Sequence, residues 1–223
     1  MTKILAIETA TEACSAALLI NDEIQECFEI APRRHTDLIL PMVAELLADA
    51  ELSVQNLSAV AFGAGPGSFT GVRVATSIAQ GIAMAHDLPV VPLSCLAMLA
   101  IGGAEKHNCS TTVPVMDARR QEVYFAVYQV NIKTKVAKIL EPDAISTPGN
   151  LPLPNDSNCV VIGTGVKAYR EQILSTCANN IRVHDNPLYP SASNGLRQAR
   201  DALWAGACIA PEFAKPIYLR HPV

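Results

Sequence analysis

The chain has 223 residues, half of them apolar and 17% charged, with a formal net charge of −4 at pH 7. That length accommodates one large core or two lobes of about 100 residues each. Nothing in the charge balance argues for an autonomous, tight nucleic-acid binder, which normally needs a cationic face.

Seven cysteines (Cys14, Cys27, Cys95, Cys109, Cys159, Cys177 and Cys208) lie mostly in apolar runs, and no CxxC pair occurs. An odd number in that setting fits reduced, buried thiols, and the expected location is the cytoplasm. Lys3 leads straight into a strand, with none of the layout of a signal peptide. Leu88 to Ala104 carries no charge, but Pro89 and Pro92 interrupt it. It reads as a buried strand and helix and not as a membrane span.

Taken in order, Ile4 to Ile7 is a buried strand and Glu8 to Glu12 a polar turn. Cys14 to Ile20 and Ile24 to Ile30 are strands joined by the hairpin signal Asn21-Asp22. A helix is predicted from about Thr36 to Ala50. Leu38, Met42 and Leu46 share one face, and Ile39, Val43 and Leu47 the next. That stripe is wider than one core contact needs, which points to a buried helix or a partner surface.

Val60 to Phe62 is a strand, and Gly63, Gly65 and Gly67 around Pro66 form a turn suited to positive φ and close backbone approach. Ser68 or Thr70 caps the following helix, about Thr70 to Ala85. Its small residues Ala75, Ala79, Gly81, Ala83 and Ala85 fit a core helix beside a sheet, and equally a face turned to a second protein. Gly81 costs about 1 kcal/mol against alanine inside a helix, so a packing role is expected for it. Val90 to Leu93 is a strand and Ser94 to Gly102 a helix.

The polar segment Gly102 to Thr112 is the expected lobe boundary. Strands follow at Val113 to Met116, Glu122 to Val130 and Val136 to Leu140, the last two joined by a hairpin over Asn131 to Lys135. Thr147 to Asn158 carries Pro148, Pro152 and Pro154 and reads as an exposed loop. After a strand at Val160 to Ile162, Gly163-Thr164-Gly165 opens a helix over about Val166 to Cys177. Ile181 to Val183 is a short strand and Asn194 to Ile209 a helix. Each half runs strand, strand, strand, then strands and helices in alternation, and no clear helix follows the third strand of the second half. This repeat of topology predicts a duplicated α/β protein with mixed sheets, its lobes at 1–104 and 105–223 and a cleft between them.

Three turns have the make-up to hold a phosphate: Glu8 to Thr11, Gly63 to Gly71, and Gly163 to Gly165. None matches a phosphate-loop or dinucleotide fingerprint, and ordinary tight turns explain them as well. Asp117-Ala118-Arg119-Arg120 at a strand end is either a cleft-lining group or a surface ion cluster. His35, His86, His107, His184 and His221 show no pair four apart, so no metal site is expected. Ser68 has no evident base for nucleophilic chemistry.

Three blocks together resemble the TsaB (YeaZ) family. They are Ile4-Leu5-Ala6-Ile7-Glu8-Thr9-Ala10-Thr11-Glu12-Ala13-Cys14-Ser15, Gly65-Pro66-Gly67-Ser68-Phe69-Thr70-Gly71-Val72-Arg73, and Asp117-Ala118-Arg119-Arg120-Gln121-Glu122-Val123-Tyr124. The terminal Tyr218-Leu219-Arg220 fits as well. Gln121 stands where a glycine is often found, and Glu8 where an aspartate is common.

The resemblance implies a duplicated two-lobe actin/Hsp70/sugar-kinase-like (ASKHA) fold. It implies a non-catalytic activating or scaffold subunit of the bacterial tRNA threonylcarbamoyltransferase complex. That complex forms t6A at adenosine 37 of tRNAs reading ANN codons. The implied partners are the catalytic paralogue TsaD, the ATPase TsaE in a ternary complex, a second copy of the chain in isolation, and tRNA only through the complex. No membrane is involved.

The implied interface uses the first two helices of the N-terminal lobe, and Leu38, Met42, Leu46, Val74, Ile78, Ala79 and Ile82 are its expected anchors. The paralogue's metal-binding histidine positions fall on Ser94 and Met98, neither of which supplies an imidazole. No catalytic residue, cofactor or metal is therefore assigned to this chain, ATP with Mg²⁺ and the metal belonging to partner subunits. The alternative is a stand-alone ASKHA-type ATPase or phosphotransferase with Glu8 and Asp117 as its only candidate Mg²⁺ carboxylates. A metallopeptidase-like protein is a third reading, disfavoured by the missing ligand cluster.

Overall fold

β1 (Lys3–Glu8) and β2 (Ala13–Ile20) pair antiparallel from Lys3 opposite Ile20 to Glu8 opposite Ser15. Asn21 and Asp22, with φ of 49° and 72°, reverse the chain into β3 (Glu23–Ile30). These two residue types tolerate the left-handed backbone of a two-residue hairpin. α1 (His35–Asp49) follows, then β4 (Ala59–Gly65), α2 (Phe69–Met84) and β5 (Val90–Ser94). β4 lies parallel to β1 and β5 parallel to β4, giving the sheet order β3-β2-β1-β4-β5. In this computed structural model residues 2–156, 158–177 and 181–220 are described.

The second sheet repeats the plan. After α3 (Cys95–His107), β6 (Thr111–Arg119), β7 (Glu122–Asn131) and β8 (Val136–Ser146) form an antiparallel meander. β9 (Cys159–Ile162) pairs parallel with β6, α4 (Thr164–Thr176) follows, and β10 (Arg182–Val183) pairs parallel with β9. The order is β8-β7-β6-β9-β10, the first sheet's order repeated strand for strand. No helix lies between β8 and β9 among the described residues. A 3₁₀ turn at Pro148–Asn150 stands there, with Pro148 and Leu151 buried, so the expected exposed loop is partly core.

The chain then returns to the first sheet with α5 (Ala192–Trp204), which ends at Gly206 in the left-handed conformation. It stops short of the expected Ile209 because glycine at that point closes a helix. Two compact units result: Met1–Cys95 with Ser191–Ile217, and Leu96–Pro190 with Tyr218–Val223. The boundary expected over 102–112 falls inside the second unit. The reason is packing: α3 is one helix, and a Cβ on its Gly103 would stand 2.1 Å from Ile162 of β9.

Side-chain alternation sets the first unit's layers. Leu5, Ile7, Cys14, Ala16, Leu18, Val60 and Phe62 face a core completed by Ile39, Val43, Leu47, Ala75, Ala79 and Ala83 of α1 and α2. Ser15 points to the other face, where its Oγ accepts from Ala192 N at the start of α5 (3.0 Å). In the second unit Val113, Val115, Val123, Phe125, Val127 and Val161 pack on Val166 and Ile173 of α4. All seven cysteines are free thiols.

Candidate functional site

The glycine block is a packing device. Thr9 Oγ1 donates to Gly71 O (2.7 Å), Ser68 N to Ala10 O (2.8 Å), and Ser68 Oγ caps α2 by accepting from Gly71 N (3.0 Å). A Cβ on Gly67 would sit 2.5 Å from the Ala10 Cβ, and one on Gly71 2.1 Å from Thr9 O. The β1–β2 turn is thus laid directly on the start of α2, and only glycine permits that approach. Ser68 thus serves as the cap of α2.

Glu8 lies beneath this lock, fully buried. Its Oε1 accepts from Ala10 N (2.5 Å) and its Oε2 from the Cys95 thiol (3.1 Å). Burial raises its pKa from 4.5 to about 7, against the lowering effect of these hydrogen bonds. A Cβ on Gly63 would stand 1.9 Å from Glu8 Oε2. A phosphate entering this turn would meet a carboxylate, and the hydroxyl and amides it would use are committed to the chain. At Gly163, φ is 112° and the backbone passes close to Val115 O, while Thr164 Oγ1 accepts from Asp117 N (3.3 Å).

Asp117 is equally engaged. Its Oδ1 accepts from Arg119 N (2.8 Å) and the Tyr169 hydroxyl (3.1 Å), and its Oδ2 from the Arg119 guanidinium (2.9 Å). Glu8 and Asp117, the candidate Mg²⁺ carboxylates, therefore each spend their oxygens inside the protein. Arg119, Arg120 and Gln121 turn β6 into β7 with φ of 63°, 55° and 59°. The glycine expected at position 121 would adopt that angle without strain. Glu122 is ion-paired with Arg220, which fastens the C-terminal segment to β7.

Ser94 closes β5 half-buried and Met98 is buried in the first turn of α3. Among the described residues no three His, Cys, Asp or Glu side chains converge in a way that would hold a metal. His107 and His184 do meet, stacked with ring centroids 3.6 Å apart, a contact their separation in sequence conceals. Burial first, then the neighbouring ring, lowers the His107 pKa. Stacked rings do not aim two nitrogens at one ion. His221 lies outside the described residues.

The expected interface residues divide. Met42, Leu46 and Ala79 are buried in the first unit's core, and this corrects their assignment as surface anchors. Leu38, Val74, Ile78 and Ile82 are half-buried. Val74 and Ile78 line an open, mainly apolar groove of about 400 Å³ with Thr36, Phe69, Thr70, Arg73 and Ser77. Phe69 (59% exposed) and Leu40 (52%), both missed from sequence, belong to these same helices, as does Met84 (56%). Gly81 has nothing within 4 Å of its would-be Cβ, so no packing role for it is found among the described residues.

Two sheets of identical order, each flanked by helices, define a duplicated α/β protein of the actin/Hsp70/sugar-kinase type. A family model described as "TsaD: tRNA N6-adenosine threonylcarbamoyltransferase" matches residues 28–194. The Escherichia coli K12 "tRNA threonylcarbamoyladenosine biosynthesis protein TsaB" is 36% identical over 226 residues, covering 99% of this chain and 96% of that protein. Its Haemophilus influenzae namesake is 38% identical over 228 residues, covering 99% and 94%. The solved structure of "YeaZ from Pseudomonas aeruginosa" superposes with a TM-score of 0.90 at 34% identity, covering 98% of this chain and 100% of that one. The chain belongs to the TsaB (YeaZ) family. Among its described residues no helix is long and apolar enough to cross a membrane.

Proposed function

We propose that this chain is the non-catalytic, activating subunit of the tRNA threonylcarbamoyltransferase complex that forms t6A at adenosine 37 of ANN-reading tRNAs. The pathway comes from the relatives matched over nearly the full chain, which are named as tRNA threonylcarbamoyladenosine biosynthesis proteins. TsaD is the catalytic partner and TsaE joins as the ATPase, so ATP, Mg²⁺ and the catalytic metal belong to those subunits.

One observation carries the role: the apolar groove over α1 and α2 is left uncovered within its own unit, whereas both candidate carboxylates are consumed by internal hydrogen bonds. The TsaD model spans both helices here, so the partner carries equivalent elements. Two related proteins can then pair helix on helix about a pseudo-two-fold axis, and in isolation a second copy fills the same place. A standard interface of about 800 Å² per partner is within reach of two such helices.

Ser77 tests the surface, because it is exposed, lines the groove and lies outside the core. Ser77→Arg is expected to weaken association with TsaD by at least about tenfold in calorimetric titration, with an unchanged circular dichroism spectrum. Undiminished affinity would remove the groove from the interface.

A further inference from the structure

The β6–β7 loop is the motif that the pairing surface leaves unused. Arg119, Arg120 and Gln121 are exposed, and all three have left-handed backbone. The register of β6 on β7 shifts between Asp117 and Arg119 to make room for it. Strain of this kind gathers at functional positions. The acids at the base of the loop are ion-paired within the unit, Asp117 with Arg119 and Glu122 with Arg220, and Asp117 also accepts from the Tyr169 hydroxyl. Arg120 has no carboxylate partner among the described residues.

The charge of the two units differs in sign. The first contains seven Lys and Arg against thirteen Asp and Glu, and the second ten against eight. The cationic surplus therefore lies in the unit that carries the loop. Guanidiniums present a planar fork of donors that matches a phosphate.

We infer that the Arg119–Arg120 loop is a contact for the phosphate backbone of the RNA on which the assembled complex acts. The inference rests on the proposed role in tRNA modification. The contact positions the RNA and reads no bases, as phosphate contacts do. It adds to binding made mainly by other subunits, in keeping with an overall acidic chain.

The test uses the full chain in complex with TsaD and a fluorescently labelled, unmodified ANN-reading tRNA, with affinity measured by anisotropy across a salt series. Arg119→Ala/Arg120→Ala is expected to weaken binding about tenfold at low salt and to flatten the slope of log affinity on log salt by about 1 to 2. Arg120→Lys should retain most of the binding. Lys133→Ala, at the exposed β7–β8 turn of the same unit, should leave it unchanged. An unaltered slope in the double variant, or an equal loss in Lys133→Ala, would overturn the assignment. So would loss of TsaD from the double variant in size-exclusion chromatography, which would make the loop a protein contact. Failure of the wider functional reading looks different: t6A formation would then not depend on the wild-type chain at all.

Discussion

Glu8 is a carboxylate in an apolar interior, held by the Ala10 amide and the Cys95 thiol, with no cationic partner among the described residues. Its folded pKa, near 7, stands above its unfolded value of 4.5. The folded state thus keeps the proton more tightly. The associated stability is fully present below pH 4.5 and is lost as pH rises through about 7. The difference amounts to about 3 kcal/mol. Urea unfolding at pH 5 and pH 8 is expected to show that loss in the wild-type chain and not in Glu8→Gln; parallel curves for the two proteins would contradict it. Gln121 offers a second check, since its φ of 59° is a conformation glycine adopts freely. Gln121→Gly is expected to stabilise the chain by about 1 kcal/mol, read as a higher melting temperature. The sequence shows that position 8 carries a carboxylate in a turn after a buried strand. It does not show that Ala10 and Cys95 would close around it, because Cys95 lies 87 residues away.

Among the elements, strands and helices were legible because their periods were clear, and the hairpin at Asn21-Asp22 because its residue types permit positive φ. The phase of α1 and α2 was not. Leu38, Ile39, Leu40, Met42 and Val43 spread over about 200° of α1, so the pattern does not say which part of that arc faces in. Only the sheet decides, burying Met42 and Leu46 and leaving Leu40 outside. Ala79 is the instructive case: it has no exposed surface, so an arginine there would disrupt the fold and not an interface. The glycines of the block permit close approach, as expected, and the group that approaches Gly67 and Gly71 is the chain's own Thr9–Ala10 turn. Gly71→Ala is therefore expected to cost about 2 kcal/mol or more through the clash with Thr9 O. Gly81→Ala, with open space around it, should stabilise the isolated chain by about 1 kcal/mol. Equal effects at the two sites, measured by chemical denaturation, would contradict this account of the block.

For the whole molecule, duplication was readable as two runs of the same element types, and the matching sheet orders bear it out. The return of α5 to the first sheet was not readable, since its partners are backbone and side-chain groups on β2 and β3, such as Ser15 and Glu26, more than 160 residues away. The central claim is that this molecule acts by presenting a surface and not by performing chemistry. Its most direct test is t6A formation on unmodified tRNA by TsaD, TsaE and threonylcarbamoyl-adenylate, with this chain omitted, added as wild type, or added as Ser77→Arg. The account predicts modification with the wild-type chain, none without it and little with the variant. Undiminished t6A in its absence, or t6A made by this chain alone, would contradict it.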